Sequence, residues 1–253
     1  QKAKGFININ SLIDIQECVE ASRAGIRKLP GTVIKNTLTG EVVHTPPQSE
    51  EEILDYLKNL EDYINTDQTY DPLVNMAVIH FQFETIHPFY DGNGRTGRIL
   101  NVLYLVMSGK IDYPVLYLSK YIIDNKAEYY TLLKECNISE AAITKFVQYI
   151  LRGIESTSVF TINFINEITK SMENTANMMK EKLPKIYSKE LVEFLYYEFY
   201  TKNEFLRIEL NISRNTATKY LKLLEENGFL ISEKVGKEVI YKNVALFNLM
   251  DKW

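Results

Sequence analysis

The chain has 253 residues, room for one large domain or for a core domain and a smaller companion. Apolar residues make up 45% and charged ones 25%, ordinary for a globular protein, and a formal charge of −4 excludes a whole-chain basic signal for nucleic acid. The longest apolar run, Ile99 to Met107, is broken by Asn101 and too short to span a bilayer, so no membrane partner is expected.

Nothing at the start reads as a signal peptide. The chain opens on Gln1 rather than Met, so native residues ahead of it are expected to be missing. Cys18 and Cys136 form no C-x-x-C pair and read as reduced, mostly buried thiols of a cytoplasmic protein. In chain order, the first regular feature is a β-hairpin within residues 32–45: two β-branched runs flank Thr39-Gly40, and Pro46-Pro47 closes it. From Ser49 to Ile64, residues Ile53, Leu54, Leu57, Leu60 and Ile64 share one side of a helix. Asp71-Pro72 starts another, with Asp71 as N-cap and Pro72 in the first helical position. Leu73, Met76, Ala77, His80, Phe81 and Glu84 give that helix an apolar face, and Pro88 stops it. The next helix begins near Gly94 and ends at Gly109.

Between those two helices lies His87-Pro88-Phe89-Tyr90-Asp91-Gly92-Asn93-Gly94-Arg95-Thr96-Gly97-Arg98. Glycines let backbone N–H groups approach phosphate oxygens, and a helix start adds unpaired donors and a positive dipole end. The two arginines supply forked donors, Asp91 a hard oxygen for Mg²⁺, and His87 an imidazole that exchanges protons near neutral pH. Phe89 reads as an apolar anchor for the loop. A dinucleotide fingerprint needs a buried strand before its glycines, whereas helix precedes these; a P-loop needs Gly-Lys-Ser/Thr, whereas Arg-Thr stands here. A transition-metal site through His87 and Asp91 would need His80, which sits on an apolar helical face.

The loop fills every fixed position of the pattern His-Pro-Phe-x-Asp/Glu-Gly-Asn-Gly-Arg-x-x-Arg, and so resembles the signature of the Fic (filamentation induced by cAMP) family. His80-Phe81-Gln82-Phe83-Glu84-Thr85-Ile86 ahead of it, and Leu116-Tyr117-Leu118-Ser119 and Tyr129-Tyr130 after it, extend the resemblance over about residues 10 to 155. It implies a mainly α fold, all-helical apart from the hairpin, and transfer of AMP from ATP to a Ser, Thr or Tyr hydroxyl of a target protein or of the chain itself. His87 would be the general base and Asp91 the Mg²⁺ ligand. Asn93, with the amides of Gly92, Gly94 and the helix start through Thr96 and Gly97, would form the α-phosphate hole, and Arg95 and Arg98 would hold the outgoing phosphates. Tyr129 and Tyr130 would line the nucleoside site, with Asn137 a weaker candidate. Val33, Ile34, Lys35 and Asn36 would belong to a flap that clamps the target by strand addition. AMP removal, or transfer of another phosphate-bearing group, stays open, because donor choice lies in the pocket walls.

Residues 156–185 read as a helical connector ended by Pro184, and residues 186–253 as a second module. Helices over 190–199, 204–210 and 213–226, then a hairpin of 229–232 and 239–241 around Lys234-Val235-Gly236-Lys237, resemble a winged helix-turn-helix. Ten Lys/Arg balance ten Asp/Glu over residues 188–253, yet Arg214, Asn215, Thr216 and Lys219 put a basic start on one helix. That suits a DNA contact and leaves protein docking equally open, as it leaves a DNA-binding regulator with a vestigial core and a homodimer. Many Fic proteins carry an inhibitory Ser/Thr-x-x-x-Glu-Gly/Asn helix whose glutamate would pair with Arg98. Thr169 to Asn174 matches around Glu173, but such a helix is expected ahead of Gln1 instead.

Overall fold

The computed structural model describes residues 5–36, 39–66, 70–136 and 139–251. They fall into two compact units, residues 1–161 and 162–253. Asn137 lies outside the described residues, as do Thr37 and Leu38 of the expected hairpin.

In the first unit, α1 (Ile9–Glu20) starts with Asn8 and Ser11 capping each other's backbone amides. The hairpin is two short antiparallel strands, β1 (Ile34–Lys35) and β2 (Val42–His44), with an irregular register that pairs Ile34 with His44 and Lys35 with Val42. Ile34 and Val43 point into the core, whereas Val33 and Lys35 face outward. Helix α2 (Glu50–Asn65) begins at the Ser49 cap and buries Ile53, Leu57, Leu60 and Ile64. Helix α3 (Pro72–Ile86) follows the Asp71 cap, whose Oδ1 accepts the Leu73 N–H at 2.8 Å. Helices α4 (Asn93–Met107), α5 (Leu118–Asp124) and α6 (Lys126–Cys136) complete the surround.

The expected one-sided apolar face of α3 is instead burial on almost every side. Asn75, Met76, Ala77, Ile79, His80, Phe83, Glu84, Thr85 and Ile86 are all buried, because α2, α4 and α6 wrap the helix. Burying a side chain such as Phe83 is worth about 1.5–3 kcal/mol, and truncating it to alanine costs about 3–5 kcal/mol once the cavity is counted. Of the polar members of α3, Asn75 accepts from the Tyr63 hydroxyl at 3.0 Å, and His80 meets the Tyr129 hydroxyl through Nε2 at 3.1 Å and Asn101 Nδ2 through Nδ1 at 3.1 Å. His80 is thus a satisfied core histidine.

Helix α7 (Glu140–Lys182) runs for 43 residues without a break at Gly153. A Cβ at Gly153 would stand 2.7 Å from Tyr121 and 2.8 Å from Leu118, so glycine there serves close packing with α5. Residues Phe146, Tyr149, Ile150 and Ile154 of α7 join the first core, and Met179 joins the second. Cys136 is buried, but Cys18 is exposed, against expectation: on α1 it lies opposite the inward Leu12 and Gln16.

The second unit contains α8 (Lys189–Tyr197), β3 (Tyr200–Thr201), α9 (Asn203–Glu209), α10 (Arg214–Glu226), β4 (Leu230–Val235), β5 (Glu238–Asn243) and α11 (Val244–Met250). Its antiparallel sheet has the order β3-β5-β4. Ser213 caps α10 by accepting the Thr216 N–H. The expected four-residue hairpin turn shrinks to Gly236-Lys237, because Lys234 and Val235 stay paired with Val239 and Glu238. Strand β3 and helix α11 have no counterpart in the sequence reading, since a two-residue strand carries no alternation to detect.

Candidate active site

The twelve-residue loop joins α3 to α4, and its backbone is pinned at His87, at Phe89, by Arg27 and by Gln16, whose Nε2 donates to the Asp91 carbonyl at 3.2 Å. His87 ends α3 in the left-handed region (φ 48°), with its N–H on the Phe83 carbonyl at 3.0 Å. The side chain of Asn93 bridges the loop: Oδ1 accepts the Phe89 N–H at 2.9 Å and Nδ2 donates to the Phe89 carbonyl at 2.8 Å. Phe89 itself is fully buried, as its anchoring role requires.

The third pin is Arg27, which the sequence reading missed. Its side chain is wholly buried; Nε donates to the His87 carbonyl at 2.8 Å, and Nη2 donates to the Pro47 and Ile86 carbonyls. The Arg27 N–H donates to the Pro88 carbonyl at 2.9 Å, and Ile26 bridges to Phe89. A guanidinium so placed trades hydration for carbonyl oxygens, which fixes the orientation of His87. No local pattern marks it, because its partners are 20 and 60 residues away.

His87 is half-buried, and its Nδ1 has no hydrogen-bond partner. Burial above all, with the nearby charges of Arg27 and His44, pushes the imidazole down to about 4, against the raising effect of the Glu84 carbonyl and Asp91. The ring is therefore neutral at pH 7 and keeps an acceptor nitrogen. His44 lies in the same cluster, held at 3.1 Å on the Thr85 carbonyl and lowered by burial.

Asp91 is exposed, and its Oδ1 accepts the Gly92 N–H at 2.7 Å. Gly92 adopts φ +83°, a conformation that glycine takes without strain. The first bond of α4 runs from the Thr96 N–H to the Gly92 carbonyl at 2.9 Å, so the amides of Asn93, Gly94 and Arg95 precede it as the free donors of a helix start. Of the expected anion-hole members, the Asn93 side chain bonds to Phe89 and the Gly92 amide to Asp91 in this structure. The Thr96 hydroxyl is buried without a partner, and Gly97 packs against Glu84 and Phe83. Arg98 is half-buried beside Gly94. Arg95 is exposed and forms an ion pair with Glu20 at the end of α1, another residue that sequence reasoning passed over.

Among the described residues, no group of three or more His, Cys, Asp or Glu could hold a metal ion unaided. A single carboxylate beside the free amides of a helix start nonetheless fits Mg²⁺ carried in on a nucleotide, which takes one or two carboxylates plus phosphate oxygens. Tyr129 is buried with its hydroxyl on His80, in the core rather than on an open face; half-buried Tyr130 stands edge-on to it at 5.7 Å. Val33 to Asn36 form the outer part of the hairpin, apart from inward Ile34.

In the second unit, Arg214, Asn215 and Lys219 are exposed on α10, while Thr216 is drawn into the Ser213 cap. Arg214 also lines a cleft of about 500 Å³ with Arg207, Lys202 and Lys237. Glu173 is an exposed residue of α7.

Residues 6–105 match the model of the Fic/DOC family, and residues 171–246 match that of the C-terminal domain of SoFic-like protein adenylyltransferases. The match to the Fic/DOC family covers 100 of the 253 residues. It is 32% identical over 139 residues to protein adenylyltransferase fic-1 of Caenorhabditis elegans, covering 54% of this chain and 25% of that protein. It is 30% identical over 149 residues to protein adenylyltransferase Fic of Drosophila grimshawi, covering 58% and 29%. The chain thus spans about a quarter of the length of these curated relatives. A Fic family protein from Desulfovibrio desulfuricans G20 shares the fold, with a TM-score of 0.55 at 20% identity over 93% of this chain and 68% of that one. No helix among the described residues is long and apolar enough to cross a membrane.

Proposed function

We propose that the chain transfers AMP from ATP to a Ser, Thr or Tyr hydroxyl of a target protein or of itself, releasing diphosphate. The observation that carries this reading is a neutral His87 with a buried, unpartnered ring nitrogen, its backbone pinned by Arg27 on the loop that leads into α4 and its free amides. The hydroxyl oxygen attacks the α-phosphorus, its proton passes to His87, and the bond from that phosphorus to the bridging oxygen breaks. A pKa of about 4 makes a weak base, but bound phosphates add negative charge nearby and raise it toward the useful range. The amides of Asn93, Gly94 and Arg95 receive the α-phosphate, and Arg95 and Arg98 neutralise the leaving diphosphate. Asp91 would hold Mg²⁺, and the ion would supply neutralisation of phosphate charge. Tyr130 is the better placed of the two tyrosines for the nucleoside. The outward Val33 and Lys35 suit strand addition by the target.

The second unit supports an independent reading as a winged helix-turn-helix that contacts a DNA backbone. One cleft is lined by Lys202, Arg207, Arg214 and Lys237 against Glu204 and Glu238, a local cationic excess that suits a phosphate backbone. Two unpaired thiols, one of them exposed, suit a reducing, cytoplasmic setting.

The test is incubation of the purified chain with labelled ATP, Mg²⁺ and lysate, followed by mass spectrometry of modified hydroxyls. His87→Ala is expected to abolish incorporation while nucleotide binding survives; full incorporation by that variant removes His87 as the base.

A further inference from the structure

One buried ionisable group behind the loop has no part in the chemistry above. Glu84 lies on α3, three residues before His87, and is 7% exposed. Its Oε1 is buried without a hydrogen-bond partner. That oxygen is 2.8 Å from where a Cβ on Gly97 would stand and 3.9 Å from the same point on Gly94. The carboxyl therefore lies against the first turn of α4, in space that glycine leaves open. Arg98 Nη1 is 3.1 Å from the Gly94 point, so guanidinium and carboxyl flank the same turn.

Burial pushes the carboxyl up to about 7, against the opposing charge of Arg98. Tyr129 faces it from α6, with a phenol raised well above its ordinary range by burial; on α3 itself, His80 is held down at about 3. His87 on the adjoining loop is at about 4. Arginine does not titrate in proteins, so Glu84 is the member of this group whose charge changes near pH 7.

We infer that Glu84 is a positioning residue for Arg98, and that binding of a nucleoside triphosphate to the loop places a proton on it. The inference rests on the nucleotide-binding reading above. An ionised Glu84 draws the guanidinium toward the core and sets a negative charge under the phosphate cradle. A neutral Glu84 frees Arg98 for the outgoing phosphates. Bound phosphates repel the ionised form, so the complex takes up a proton that the free protein has begun to release. Affinity then falls as pH rises through 7, by at most tenfold per pH unit for one proton, and levels off once the complex also ionises. His80 remains neutral throughout this window, and any proton that bound phosphates place on His87 is common to the wild type and Glu84→Gln.

The experiment measures binding of the Mg²⁺ complex of an ATP analogue that resists cleavage between the α- and β-phosphates. Calorimetry at pH 7.5 in two buffers of different ionisation enthalpy is expected to show more proton uptake by the wild type than by Glu84→Gln. From pH 7 to 9, where the phosphates are already ionised, the wild-type dissociation constant is expected to rise about tenfold, and that of Glu84→Gln less than twofold. Equal proton uptake and equal pH profiles in the two proteins overturn the inference. Should Glu84→Gln fail to fold by circular dichroism, a pH-independent wild-type affinity overturns it alone. Nucleotide binding without pH dependence sinks only the role of Glu84; no nucleotide binding at any pH sinks the proposed function as well.

Discussion

The ion pair between Glu20 and Arg95 joins α1 to the first turn of α4, and its removal is expected to tighten nucleotide binding. The two side chains are 17% and 53% exposed. Exposed pairs contribute about 0.2–1 kcal/mol, and the largely shielded glutamate puts this one near about 1 kcal/mol. Phosphates must draw Arg95 away from that partner, so the contribution opposes binding. Glu20 also overhangs the loop: a Cβ on Gly92 would stand 2.6 Å from its Oε1. The carboxylate therefore repels incoming phosphate, an effect of the same sign. Glu20→Gln keeps the shape and removes the charge, so affinity for a labelled, non-hydrolysable ATP analogue is predicted to rise at least about fivefold at low salt, since 1.36 kcal/mol corresponds to tenfold. Fluorescence titration at 20 mM and 500 mM salt checks it, and the ratio between the two proteins is expected to shrink at high salt through screening. Equal or weaker binding by Glu20→Gln at low salt would refute the reasoning.

Asn93→Ala removes both hydrogen bonds across the loop and is expected to cost about 1–3 kcal/mol, read as a lower Tm together with loss of nucleotide binding. Gly97→Ala forces a methyl to within 2.8 Å of Glu84 and 3.0 Å of Phe83; the overpacking costs about 1–3 kcal/mol, and an unchanged melting curve would contradict the packing. Acidification from pH 7 toward 5 is predicted to lower the Tm of the first unit. His44, His80 and His87 are all depressed in the fold, so the unfolded chain binds more protons below about 6.5, and stability is lost as pH falls. Glu84, raised to about 7, works in the opposite direction, one carboxyl against three imidazoles. Arg214→Ala is expected to weaken DNA binding and flatten its salt dependence in a filter or anisotropy assay; a wild type without salt-sensitive DNA binding would count against that reading.

What the sequence determined by itself was local. Asp71-Pro72, Ser49 and Ser213 mark helix starts because a cap and its amide are two or three residues apart. The loop from His87 to Arg98 was legible for the same reason: its glycines, imidazole, carboxylate and arginines are contiguous. Tertiary structure decided what those groups are free to do. Arg27 pins the loop from 60 residues away, Glu20 reaches Arg95 across 75, and Tyr129 turns to His80 across 49. Such pairs leave no trace in a periodicity that repeats every 3.6 residues. The same holds for Gly153, which looks like an interruption in one dimension and is, in three, the gap that admits Tyr121 and Leu118. Nor could the sequence reveal that Asn93 spends its side chain on Phe89, or that Glu84 is shut against α4: burial and partner choice emerge only when helices far apart in the chain are packed together.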